Sequence, residues 1–113
     1  MSGKPIHPRA LARGDADDAV EYYLREAGPD RALGFIDALE AAYAHIADFP
    51  AAGSPRYAQE LALPGLRTRR LRRYPYLVFY VERDDHIDVW RVLHAQRDIP
   101  VWMRDPEGQG GPA

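Results

Sequence analysis

Two neighbouring segments, Tyr76–Arg83 and His86–His94, are apolar on both faces, and this constrains the fold more than any other feature of the chain. In the first, Leu77, Phe79 and Val81 alternate with Tyr76, Val78 and Tyr80; in the second, Ile87, Val89 and Leu93 oppose Trp90 and Val92. Short runs rich in aromatic and β-branched residues read as strands. Strands apolar on both sides must be central, with helices on one face and something apolar or bound on the other. Asp84-Asp85 between them makes a tight turn. A third period-two segment, Leu66–Tyr74, begins after Gly65 and is broken by Pro75, so three strands follow one another through short connections.

The first half has a different period. Lys4–Leu11 is short, weakly alternating and holds two prolines, which suits an edge strand. Gly14-Asp15 then punctuates the chain, with Asp15 reading as an N-cap and Asp17 and Asp18 favourable near the positive end of the following helix. Ala16, Ala19, Val20, Tyr23 and Leu24 form its apolar stripe. Gly28-Pro29 ends this helix and opens another, expected over about Asp30 to Asp48, whose stripe is Ala32, Phe35, Ile36, Leu39, Tyr43 and Ile46. Tyr22, Tyr23 and Tyr43 are most simply core residues. The short connection predicts an antiparallel helical hairpin. Phe49–Pro64, with Pro50, Gly53, Pro55 and Pro64, reads as an ordered surface loop or short turns. Ile99–Met103 forms a terminal turn of helix. The expected fold is α+β: an N-terminal edge strand, a helical hairpin and a three-stranded antiparallel meander (β-α-α-β-β-β), in a two-layer sandwich. One domain spans residues 1–104, and 105–113 read as a disordered tail.

Composition excludes several classes. The 113 residues are 46% hydrophobic and 28% charged, which fits neither a disordered nor a membrane chain. No cysteine is present, so disulfides and thiolate zinc sites are ruled out and a reducing cytoplasm is the expected setting. No apolar run of signal-peptide or membrane-spanning length occurs. The net charge of −2 conceals an asymmetry: residues 1–60 hold ten acids and six Lys/Arg, whereas 61–113 hold seven acids and nine Arg. The second half is where an anionic partner is expected.

With this element order in hand, the C-terminal half resembles the toxins of the RelE/ParE superfamily, and its ParE branch in particular. The likeness is carried by Pro50-Ala51-Ala52-Gly53, by Gly65-Leu66-Arg67, by Tyr74-Pro75-Tyr76-Leu77-Val78-Phe79-Tyr80, and by Val89-Trp90-Arg91-Val92-Leu93-His94-Ala95-Gln96-Arg97-Asp98. The resemblance implies a toxin of a bacterial type II toxin–antitoxin module, held inactive by a cognate antitoxin. Toxins of ParE type are reported as poisons of DNA gyrase, and those of RelE type as ribosome-dependent mRNA endonucleases. Fold alone does not choose between them.

Two groups of basic residues are the candidate binding sites. Arg67, Arg69, Arg70, Arg72 and Arg73 place five guanidinium groups in seven residues. Same-face neighbours in a strand lie ~7 Å apart and repel by only ~0.6 kcal/mol in water. The run is therefore either a solvated face or a contact for an acidic partner, whether antitoxin, gyrase or nucleic acid; Arg67, which belongs to the family pattern, reads more as support. Arg91, His94 and Arg97 form the second group, with Trp102 beyond it. An arginine inside an apolar strand requires a partner or a groove: Arg91 is read either as paired with a carboxylate such as Asp98 or Glu82, or as part of a site on the sheet face left uncovered by the hairpin, which an antitoxin segment would mask. His94 has the chemistry of an acid or base, although a strand-end histidine is commonly just a satisfied polar residue.

RNA cleavage without a metal requires a base, an acid and cations for the phosphorane charge. The RelE resemblance would supply a C-terminal tyrosine, but no tyrosine lies beyond Tyr80, Trp102 stands near that position, and the single lysine is Lys4. His7, His45, His86 and His94 have no zinc-ligand spacing, and no phosphate loop or nucleophile elbow is present. The leading reading is thus a non-enzymatic, cofactor-free inhibitory binding protein, with an mRNA endonuclease and a degenerate, non-toxic family member as the alternatives.

Overall fold

The computed structural model describes residues 3–104; the expected tail, 105–113, lies outside them. The elements are β1 (Ile6–Pro8), α1 (Ala10–Ala27), α2 (Pro29–Asp48), a 3-10 turn over Pro50–Ala52, α3 (Arg56–Glu60), β2 (Leu66–Arg70), β3 (Tyr76–Glu82), β4 (Ile87–His94) and α4 (Ile99–Arg104). The sheet order is β1-β4-β3-β2, with β1 parallel to β4 and the other pairs antiparallel. The architecture is the α+β arrangement expected from the sequence. Among the described residues no helix is long and apolar enough to cross a membrane.

The helical hairpin covers one face of the sheet. Phe35, Ile46 and Ala19 meet Val78, Tyr80, Ile87, Val89 and Val92 in one continuous core. Phe35 is fully buried and its ring contacts those of Tyr23, Tyr74 and Tyr76 at 5.2–5.8 Å between centroids, a spacing at which edge-to-face pairs add to area burial. Gly28 joins the helices at φ 95°, a left-handed conformation that costs glycine little. The opposite face is not left open, contrary to the expectation from sequence. Leu66, Phe79, Val81 and Leu93 lie there under Tyr57, Ala58, Leu61 and Leu63 on one side and Ile99, Trp102 and Met103 on the other. The chain thus supplies its own cover, from the 55–64 segment and α4, because both faces of β3 and β4 require one.

A β-bulge sets which residues of β4 face which core. Tyr80 pairs with Val89 but Phe79 pairs with Arg91, leaving Trp90 as the extra residue. Ile87 and Val89 face the hairpin before it, and Val92 does so after it. Without the insertion, strict alternation would aim Arg91 at the hairpin core.

The first helix departs from the sequence reading. It begins at Ala10, one residue after β1, and Gly14 and Asp15 lie inside it. Asp15 therefore does not cap a helix. β4 has eight residues and its parallel partner β1 only three, so β4 has an unpaired stretch beyond Val89. Asp15 sits against that stretch: it accepts a hydrogen bond from the Val92 N–H at 3.0 Å and two from Arg91, from Nε at 2.8 Å and Nη2 at 2.7 Å. The side chains are only 4% (Arg91) and 12% (Asp15) exposed. Arg91 also donates to the Trp102 carbonyl at 3.1 Å. Its partner is therefore Asp15, not Asp98 or Glu82, and its guanidinium is interior rather than on an uncovered face.

A second buried carboxylate ties the other end of β4. Asp88 accepts hydrogen bonds from Arg9, Arg83 and the Trp90 indole at 2.9–3.2 Å. Burial opposes its ionisation, but these donors prevail and hold the carboxyl at about 2, against ~3.9 for an unperturbed aspartate. A depressed carboxyl stabilises the folded state fully above the unfolded value and progressively less as pH falls toward the folded one. Asp88→Asn is expected to remove on the order of 2 kcal/mol of the stability present at pH 7 and to flatten the loss between about pH 5 and pH 2. Urea denaturation across that range is the measurement; an unchanged acid limb in the variant would show that Asp88 does not set it.

Candidate functional site

Residues Asp15, Asp18, Ala19, Tyr22 and Tyr23 recur at helical spacings of three and four, so they share one face of α1. That face forms one wall of a cleft of about 530 Å³. The other wall comes from Pro75 and Tyr76 at the start of β3, from Val92, Leu93 and His94 at the end of β4, and from Arg97 and Trp102 around α4. Three residues singled out from sequence, His94, Arg97 and Trp102, therefore meet in one place.

The cleft is aromatic with few charges. The Arg97 guanidinium stacks on Trp102 at 4.1 Å from the ring centroid, and that of Arg91 approaches the same indole at 5.4 Å. His94 Nδ1 accepts the Gln96 N–H at 3.1 Å, which places the proton of a neutral imidazole on Nε2. Its ring meets Tyr76 edge-to-face at 5.2 Å. Burial, followed by the neighbouring phenol of Tyr74, raises the Tyr23 hydroxyl; burial, followed by Tyr23, raises that of Tyr76, with Arg97 opposing. Both are neutral donors near neutral pH. Asp15 is committed to Arg91, so Arg97 and Asp18 leave one charge of each sign at the rim.

The remaining predicted residues lie elsewhere. Arg67 donates to the Gly53 carbonyl at 2.7 Å. Arg69 and Arg70 occupy β2 on the far side of the sheet. β2 stops at Arg70 rather than continuing to Tyr74: Leu71 N–H turns back to the Tyr76 carbonyl and Arg73 adopts φ 69°. Arg72 and Arg73 are thus exposed turn residues. Tyr22, read as core from its sequence, is 49% exposed and belongs to the cleft. The signal for it was the 15/18/19/22/23 face, which runs beside the apolar stripe and is interrupted by two aspartates. Among the described residues no group of His, Cys, Asp and Glu is disposed to hold a metal.

Residues 6–99 match the family model described as ParE toxin of type II toxin-antitoxin system, parDE. The chain belongs to this family. Among solved structures it is similar to a chain of the chromosomal ParDE TA system from P. aeruginosa, with a TM-score of 0.70 and 20% identity over 82% of this chain and 97% of that one. No curated protein sequence matches.

The residues that carry the ParE resemblance are in good part an internal scaffold. The Tyr80 hydroxyl donates to the Pro50 carbonyl at 2.6 Å while Arg67 holds Gly53. Gly53 packs so closely on Tyr80 that any side chain there would run into the phenol oxygen. These contacts pin the 50–53 turn to β2 and β3. Arg91 belongs with this scaffold and Arg97 does not. Arg91→Ala leaves Asp15 buried and unpaired and is expected to cost about 3–5 kcal/mol, whereas Arg97→Ala should stay within about 0.5 kcal/mol of the parent. Denaturation midpoints of the two variants provide the comparison, and equal midpoints would remove the structural role assigned to Arg91.

Proposed function

We propose that this ParE-family toxin inhibits growth by binding and poisoning DNA gyrase, and that a cognate antitoxin neutralises it. The gyrase target follows from the resemblance to ParE toxins. The observation that carries a binding role is the cleft, where Tyr22, Trp102 and Arg97 are gathered around an aperture between α1 and α4. Tyrosine, tryptophan and arginine are the residue types that dominate binding energy at protein interfaces. The RNA-cleaving alternative has one point in its favour, since the fold brings Tyr76 against His94 with Arg97 nearby. The charges count against it: a phosphorane needs a cationic surround, and here Asp18 offsets Arg97.

The antitoxin surface is read from the outer side of the helical hairpin. A groove of about 540 Å³ between α1 and α2 is lined by Val20, Leu24, Ile36 and Tyr43 over the buried Leu39, and is bordered by Asp17, Glu21 and Glu40. An amphipathic helix with Lys or Arg flanking its apolar face is complementary to it. Leu24, 52% exposed, can be changed without touching the core. Leu24→Glu should weaken co-purification with the antitoxin encoded beside the toxin by at least about tenfold, while Arg97→Ala leaves it unchanged; the reverse pattern would place the antitoxin in the cleft instead.

Gyrase poisoning is tested with purified toxin in supercoiling and cleavage-complex assays. Wild type should trap gyrase–DNA complexes, and Arg97→Ala or Tyr22→Ala should lose inhibition by about 30-fold or more, the scale of a hot-spot residue. Induced cells should keep intact transcripts. Codon-periodic mRNA cuts, absent in Arg97→Ala cells, would establish the endonuclease reading and overturn this one.

A further inference from the structure

The β2 edge of the sheet, beyond the bridge from Ser54 to Thr68, carries a cationic cleft that the function proposed above does not use. Register places Arg69 opposite Val78, on the hairpin face of β2, and Arg70 opposite Leu77, on the other face. Arg69, Arg70 and Arg72 converge with His45 on a recess of about 220 Å³, whose α2 wall is otherwise made of Ala38, Ala41 and Ala42. Small side chains at those three positions keep the recess open.

Its charges are unmatched. Arg9, Arg83 and Arg91 each hold a carboxylate, but among the described residues the side chains of Arg69, Arg70 and Arg72 make no ion pair and no hydrogen bond. His45 Nδ1 is buried without a hydrogen-bond partner. That nitrogen is shielded from solvent, so His45 serves as wall and the open contacts of the recess are those of the arginines. A second recess, of about 310 Å³, lies on the other side of the same strand and includes Ser54, Arg56 and Thr68, with Arg70 lining both. Two cationic recesses joined by one arginine suit an anion with repeated charges better than a single ion. The first recess offers only alanine methyls as apolar surface, and Tyr57 and Leu77 lie in the second.

We propose that Arg69, Arg70 and Arg72, with His45 in the wall beneath them, bind successive phosphates of a duplex DNA backbone along the β2 edge. Guanidinium groups match phosphate in charge and in fork geometry, and such contacts are independent of base sequence. This site is separate from the cleft proposed for gyrase, so either assignment stands or falls without the other.

The test uses full-length toxin and a fluorescent random-sequence duplex, with gyrase absent, followed by anisotropy across a salt series. Log K should fall linearly with log salt, with a slope of about −0.9 for each phosphate contacted. In the triple variant Arg69→Gln, Arg70→Gln, Arg72→Gln, affinity at low salt should drop at least about tenfold and the slope should flatten by about 2 to 3. The triple Arg→Lys variant should keep most of the slope, and Arg25→Gln, on the far end of α1, should change neither. Should the triple variant misfold, titration of wild type with the duplex must perturb the Nε resonances of Arg69, Arg70 and Arg72 and the His45 ring. Three results would overturn the proposal: a slope unchanged in the folded triple variant, inorganic phosphate competing as strongly as the duplex at equal phosphate concentration, or polyglutamate displacing the duplex, which would identify the site as one for an acidic protein.

Discussion

The ion pair between Asp15 and Arg91 holds the architecture together. β1 is too short to pair the whole of β4, and the exposed stretch would otherwise present an amide to the interior side of α1. One aspartate on α1 takes that amide and the guanidinium of the adjacent residue. The helix, the strand and the carbonyl at Trp102 are thereby fixed by two side chains. A buried pair of this kind is weak evidence for net stability, since well-packed apolar residues can do as well. What it supplies here is position, because it sets where α1 lies along β4 and therefore how wide the cleft beside it is.

Arginine serves three physical roles in this small domain, and the sheet separates them. Arg91 and Arg67 point into the protein and satisfy oxygen acceptors there. Arg97 remains at the surface against an indole. Arg69, Arg70 and Arg72 cluster at the β2 edge with no acid opposite them. The edge position itself has a further effect. Ser54 pairs this edge at Thr68, and the row of like charges beyond it discourages a further chain from pairing there.

Much of the fold was legible because it depends on periodicity. The hairpin stripe and the two-faced strands β3 and β4 follow from local pattern and have no competing explanation. Three things were not legible, each because the cause is non-local. Asp15 looked like a cap since Gly14 precedes it, whereas the helix starts earlier and uses Asp15 to reach a strand 76 residues away in sequence. The bulge at Trp90 is invisible in a sequence where both faces of the strand are apolar anyway. The arginine run read as one patch, but β2 pleating and the turn at Leu71–Pro75 distribute it over two faces. As for the cleft, His94, Arg97 and Trp102 were visible from the C-terminal pattern, while Tyr22 and Asp18 were hidden in a helix whose apolar stripe drew attention to its neighbouring face.

The bond from Arg91 to the Trp102 carbonyl couples local occupancy to the stability of the whole domain. α4 is only six residues long, too short to persist as an isolated helix, and it rests on the same guanidinium that secures α1 to β4. A molecule that grips Trp102 in place therefore favours the intact ion-pair network, and mass action raises the unfolding free energy by RT ln(1 + [L]/Kd). One that draws α4 away instead deprives a buried arginine of an acceptor. The domain's melting temperature thus registers the manner in which its C-terminal helix is held.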